Sequence, residues 1–263
     1  MNYFKNELRR ALISRNAVIA FVITLLSLLI AFFQFVQFPR HSINSFNNVF
    51  DAVDIFIRIR TSTQASILIL IAPLLATVVF SDSYLLEKES GFLKFIYLRI
   101  SNRRYVWTKI IVNGLSSGLV ISIASLIILI FLSSIYGIRD TGLNDVYGPF
   151  SWIYYTNKLC YAIFLIFISL IFNVIFATLA LGISPWIKNR YLTFLFPFFY
   201  YIASGTIFTM LGFNSFFSLN CTILFDLILK VSESNVVIYQ CILLLVGILL
   251  FYFGVIKKNE KNI

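Results

Sequence analysis

Six long apolar stretches, 17–38, 63–80, 110–136, 159–184, 191–211 and 236–256, alternate along the chain with polar connections, and none of them contains Asp, Glu, Lys, Arg or His. Each is about as long as a helix needs to cross roughly 30 Å of hydrocarbon at about 1.5 Å per residue. Helix is the expected conformation, because a lipid-exposed backbone must satisfy its own hydrogen bonds and barrel strands would alternate in polarity. The second stretch is the shortest and can extend through Ser83. The first is too long for the core of a cleavable signal peptide, and no small-x-small site follows it. The pattern predicts one all-α, polytopic membrane domain over 1–263 with six transmembrane helices.

The segments between the stretches carry patterns of their own. In residues 1–16, Phe4, Leu8 and Leu12 recur every fourth position while Lys5, Glu7, Arg9 and Arg10 take other faces. This predicts a short helix lying along the membrane surface. Residues 39–62 and 137–158 read as polar outer loops, the second with Tyr147, Trp152, Tyr154 and Tyr155. Residues 212–235 are unusually apolar for a loop, with Phe213, Phe216, Phe217, Leu224 and Leu227 among others. This segment either dips into the outer leaflet, shielded by other helices, or lies flat as an amphipathic outer helix.

Composition agrees with lipid as the solvent: 60% of the residues are hydrophobic and only 12% charged, against roughly a quarter charged in soluble domains. The net charge of +10 would point to nucleic acid in a soluble protein, but in a membrane protein its placement matters more than its sum. Fifteen of the 21 Lys and Arg fall on one side of the six stretches, in the two tails, in 81–109 and at Lys188 and Arg190. That asymmetry predicts cytoplasmic termini. Trp107, Trp152 and Trp186 fall at stretch ends, where amphipathic rings prefer to sit.

Candidate catalytic chemistry is sparse. There is no G-x-x-x-x-G-K-[ST], H-E-x-x-H, G-x-S-x-G or C-x-x-C. The single His41 cannot alone build a metal or Ser-His site, and of the three cysteines Cys160 and Cys241 lie in apolar runs, so they read as small buried apolar side chains and no disulfide framework is expected. No catalytic or metal-binding residues are assigned, and the chain is not expected to be an enzyme. With no charge retained inside the stretches, ion-driven transport is disfavoured and any driving energy is expected from elsewhere. Within the stretches, Asn173 either faces a substrate path or bonds a neighbouring helix, Pro73 and Pro197 are expected to kink their helices, and Gly114 and Gly118 permit close helix packing.

Residues 81–109 are far longer than a tight turn. Gly91 can break an extension of the second helix, Phe92, Phe95 and Ile96 form an i, i+3, i+4 stripe, and Ser101 can cap the next helix. The expected element is a short amphipathic helix lying crosswise under the membrane, with Lys94 and Arg99 off its apolar stripe. Its E-x-G-x-x-K then R-x-S-x-x-x-Y-x-x-x-K pattern (Glu89, Gly91, Lys94, Arg99, Ser101, Tyr105, Lys109) resembles the first cytoplasmic loop of ABC type-2 permeases, the membrane subunits of ATP-binding-cassette exporters. The stretch KNRYLTFLFPF from Lys188 resembles that family's connection between the fourth and fifth spans. Where many members have Leu-Pro, this chain has Arg99-Ile100, and the E-A-A-x-x-x-G motif of importers is absent.

The resemblance covers the whole chain and implies a surface (elbow) helix, six spans, a coupling helix docked in a separate ATPase subunit, and an apolar outer segment before the last span. It implies that Gly91, Phe92, Lys94, Phe95, Ile96 and Arg99 contact that subunit, with Glu87 and Glu89 forming ion pairs nearby. ATP and Mg would be bound by the partner, and a second permease chain would complete the pathway, with Gln34, Asn173 and Tyr200 as candidate lining residues. The implied setting is a bacterial plasma membrane, with lipid and no nucleic acid as further partners. The aromatic content suits a hydrophobic or amphipathic peptide or drug-like cargo. A different class stays open: a non-transporting membrane sensor or scaffold whose basic loop docks a signalling partner.

Overall fold

The computed structural model describes residues 3–37, 50–61, 67–139, 146–211, 218–227 and 231–260. Every regular element among them is a helix: α1 (Tyr3–Leu12), α2 (Arg15–Gln37), α3 (Ala52–Thr61), α4 (Leu68–Val78), α5 (Ser83–Glu89), α6 (Phe92–Tyr97), α7 (Asn102–Tyr136), α8 (Ser151–Thr156), α9 (Lys158–Ile183), α10 (Arg190–Met210), α11 (Ile223–Asp226) and α12 (Glu233–Glu260). Six helical stretches are long and apolar enough to cross a membrane: Arg15–Val36, Leu68–Glu89, Asn102–Tyr136, Lys158–Ile183, Arg190–Phe208 and Glu233–Lys257. The second of these runs from α4 through a turn into α5, and so lies further along the chain than 63–80; residues 62–66 lie outside the described residues.

The sequence places α9 at the centre of the bundle. It packs against α7, α12, α4 and α10, and the small residues decide where the contact is closest. A Cβ at Gly114 or Gly118 of α7 would stand 3.0–3.1 Å from Val174 and Leu170 of α9, which is the close approach expected of that pair. A second close crossing joins α9 to α12, where a Cβ on Gly182 would meet the Gly247 carbonyl at 2.5 Å. The α9 start is fixed by Asn157, whose side chain accepts from the Cys160 amide at 3.1 Å. Ser101 takes the extended N-cap backbone of α7, but its hydroxyl makes no capping bond.

The segments expected as outer loops are partly drawn into the bundle. In 39–62, α3 is buried along most of its length, against α7, α2 and α9. Asp51, just before α3, and Asp54 within it meet Lys158, the first residue of α9, at 2.8 and 3.4 Å, and Tyr154 donates to Asp54 at 2.5 Å. Two turns further on, the Arg60 guanidinium donates to Ser169 Oγ at 2.7 Å and to the Phe225 carbonyl at 2.7 Å, with its plane over the Phe225 ring. Ser169 lies about 16 Å along α9 from Lys158, and the 26-residue helix is about 39 Å long, so Arg60 sits near half height. This corrects the expectation of an interior without charge: the spans carry none there, but α3 delivers one from outside.

The segment around α11 is also inserted. Cys221, Ile223, Leu224, Phe225 and Leu227 are all buried, and the Phe225 ring lies 5.2 Å from that of Phe172 on α9. Residues 218–227 are thus packed into the bundle, while 212–217 and 228–230 of the segment lie outside the described residues. Cys160 and Cys241 face outward from the bundle, contrary to the expected burial, because both lie on surfaces that lipid would cover; Cys221 alone is buried. His41 lies outside the described residues.

Candidate functional site

The end of the bundle that holds both termini carries the segment singled out by its charge. Glu89 closes α5, and Gly91 then takes a left-handed backbone (φ 72°) that residues with a Cβ adopt only under strain. The chain reverses there into α6. Leu93 and Ile96 of α6 turn inward, onto a small apolar core made with Tyr84, Tyr105, Val106, Phe251 and Val255. Phe92 (52% exposed), Phe95 (64%) and Leu98 (84%) form an outward ridge, flanked by exposed Lys94 and Arg99. The expected stripe of Phe92, Phe95 and Ile96 is thus split. Ile96 anchors the element, and Leu98, which the sequence reading passed over, takes its place on the open side.

Behind the ridge stands a buried set of charges. Lys109 Nζ, fully buried, donates to Glu87 Oε1 at 2.6 Å and to Glu7 Oε2 at 2.8 Å. Arg10 reaches the same two carboxylates at 2.8 Å (Glu87) and 3.3 Å (Glu7). Tyr105 donates to Glu87 Oε2 at 2.7 Å, and Lys109 lies over the Phe80 ring. Two cations meet two carboxylates, so the cluster is neutral and its partners are hydrogen-bonded, the condition under which buried charge is tolerated. Burial, then the charges of Glu7 and Glu87, pushes the Tyr3 phenol well above its usual range. The cluster ties α1, α5 and α7 together directly beneath α6.

Glu87 and Glu89 therefore differ. Glu87 is 2% exposed and engaged inside the chain, so it holds the segment rather than offering a contact. Glu89 is exposed and pairs with Arg190 at the start of α10. Residues 3–12 form the helix α1, but its inward line runs through Glu7 and Ala11, while Phe4 is exposed. Glu7, Arg10 and Lys109 belong to the site although the sequence did not assign them to it: Lys109 entered only as the end of the motif, and Glu7 and Arg10 only as polar positions of the first helix. The only signal for Glu7 was its i+4 spacing from Tyr3 and before Ala11.

The candidate pathway residues do not come together through any bond. Gln34 is exposed on α2. Asn173 is fully buried, and its amide donates to Ser169 O of its own helix rather than to a neighbour; its Oδ1 has no partner. Tyr200 shares a hydrogen bond with Tyr239 of α12 at 2.9 Å. No group of three or more His, Cys, Asp or Glu able to hold a metal occurs among the described residues. No family model, curated protein or solved structure matches the chain. What the site offers is mechanical: a rigidly backed apolar ridge, with cations beside it, on a bundle long enough to cross a membrane.

Proposed function

We propose that this chain is the membrane-spanning subunit of an ATP-binding-cassette exporter, powered by a separate ATPase subunit that docks on α6. The observation that carries the reading is the ridge of Phe92, Phe95 and Leu98. Three large apolar side chains held open, Phe92 and Phe95 on the six-residue α6 and Leu98 at its C-cap, mark a protein contact better than a solvated linker. Exposed Lys94 and Arg99 supply charge at the rim, and Glu89 is held beside it by Arg190. The resemblance of this segment to the coupling loop of type-2 permeases gives the partner its class.

In this reading α1 is the surface helix, both termini are cytoplasmic, and the membrane is a bacterial plasma membrane. A second permease chain, identical or not, completes the pathway. ATP and Mg belong to the ATPase, and this chain takes no part in hydrolysis. Closure of the ATPase pair pushes on the ridge. Because Glu87, Lys109 and Glu7 join α6's support to α1 and α7, the push reaches two helices at once. The cargo class that suits the apolar bundle is a hydrophobic or amphipathic peptide or a drug-like molecule.

The test is co-expression and co-purification with an ATPase subunit, the candidate being any Walker-motif ATPase whose gene neighbours that of this chain. Phe95→Asp, and Lys94→Glu with Arg99→Glu, are expected to abolish the complex and export. Retention of both by either variant overturns the docking assignment. A partner that binds the loop irrespective of nucleotide, without export, would favour the sensor or scaffold.

A further inference from the structure

Between α10 and α12 the bundle is open. Both helices lean on α9, and they lie apart from one another along most of their length. The gap is a groove of about 440 Å³. Leu179 and Ile183 of α9 form its floor, and Phe196 and Pro197 of α10 face Leu243 and Val246 of α12 across it. At the end away from the termini it is roofed. Tyr200 and Tyr239 bridge the helices hydroxyl to hydroxyl, and Tyr239 also donates to the Leu219 carbonyl at 2.7 Å and meets Cys221 Sγ at 3.1 Å. Those hydroxyls are engaged with one another, so the groove offers its contents an almost wholly apolar wall.

Size limits the occupant. The lining runs from Tyr239 to Leu250 on α12, about 16 Å at helical rise. A volume of 440 Å³ over that length gives a mean section on the order of 30 Å², against about 80 Å² for a helix of about 10 Å diameter. A single hydrocarbon chain fits along its length, whereas a helix of another copy would cover its mouth without entering it. The length is about half of a hydrocarbon core roughly 30 Å thick, that is, one leaflet. Below the open end stands half-exposed Trp186, whose indole donates to the Leu250 carbonyl at 3.1 Å; exposed Lys188 follows it by two residues, and exposed Lys257, whose ammonium lies 6.0 Å from the Phe253 ring, follows Leu250 by about two turns of α12. Lys188 also borders a separate polar pocket with Asp82 and Glu89, of which Glu89 is already paired to Arg190. An aromatic ring with two cations at the mouth of an apolar slot matches a phosphate-bearing headgroup above its own chain.

We propose that the α9–α10–α12 groove holds one acyl chain of an anionic phospholipid drawn from the leaflet on the terminal side, with Lys188 and Lys257 facing its phosphate. This site is separate from the α6 ridge and stands whether or not the chain is an exporter. The bound chain fills the space that α10 and α12 leave between them, so it acts as a removable part of the packing.

The test uses the full chain in phosphatidylcholine vesicles doped with phosphatidylglycerol spin-labelled at mid-chain. Wild type is expected to immobilise one more chain per protein than Leu243→Trp or Val246→Trp, which fill the groove. Leu245→Trp and Leu249→Trp, on the outward face, should match wild type. Equal immobilised fractions in all five proteins overturn the site. Native mass spectrometry of the detergent-extracted protein gives an independent reading: one phospholipid mass on wild type, lost in the filled variants. A fatty-acid mass in its place, or a dimer that the filled variants dissociate, also overturns it. Lys188→Gln and Lys257→Gln should each lower the preference for phosphatidylglycerol over phosphatidylcholine about fivefold; an unchanged preference overturns the headgroup assignment.

Discussion

Lys109 shows how one buried cation can hold three elements. Its ammonium has two carboxylate partners and two aromatic rings around it, and no contact with solvent. Removing it leaves Glu7 and Glu87 a single cation, Arg10, with the Tyr105 hydroxyl still on Glu87. Lys109→Met is therefore expected to cost about 3–5 kcal/mol in unfolding free energy, and the triple change with Glu7→Gln and Glu87→Gln less than that single one, measured by denaturant unfolding in detergent. Arg60 makes a different demand. Its flat fork bonds Ser169 and the Phe225 carbonyl while its plane covers a ring, and a lysine cannot do all three. Arg60→Lys is expected to destabilise by about 1–3 kcal/mol on the same measurement. Where α3 meets the start of α9, burial raises the Asp54 carboxyl above its ordinary 3.8, with the Tyr154 bond and Lys158 opposing and Asp51 adding to the rise. The folded chain thus holds that proton more tightly than the unfolded one. Wild type should gain stability relative to Asp54→Asn as pH falls through the folded value toward 3.8, and lose that gain as pH rises back.

At the scale of elements, the turn from α5 through Gly91 into α6 has two sides that fail in different ways. Ile96 and Leu93 seat the short helix on the bundle, so Ile96→Asp buries an unpaired charge and should loosen the whole segment, lowering the melting temperature. Leu98→Asp changes a side chain that touches almost nothing within the chain and should leave stability within about 0.5 kcal/mol. If α6 docks an ATPase, Leu98→Asp nevertheless abolishes the complex as fully as Phe95→Asp does. Melting temperature and co-purification together separate the two effects. The sequence made the existence of this helix legible, through Gly91 and the aromatic spacing. It did not say which apolar residues face in, because Leu93, Ile96, Phe92, Phe95 and Leu98 are alike in hydropathy and six residues give less than two turns of periodicity.

The whole molecule is arranged around α9, which every other span except α2 touches closely enough to matter to its position. The small residues at its crossings set that arrangement. Gly247→Leu would drive a side chain into the α9 backbone at Thr178 and Leu179 and should separate α12 from the bundle, read as lost expression or a large fall in melting temperature. The six spans, their order and the common side of the termini follow from the apolar runs and the even number of crossings. Those features were determined by the sequence alone, because a backbone in hydrocarbon satisfies its hydrogen bonds only in a helix or a closed barrel, these runs lack a barrel's alternation, and length then fixes what can cross. The partners of Lys109, the descent of α3 with Arg60 to half height, the insertion of α11 and the groove beside α10 were decided only by the tertiary structure. Each depends on residues from helices far apart in the chain, and a charge that reads as a loop residue becomes an interior one only when a neighbouring helix supplies the oxygen it bonds.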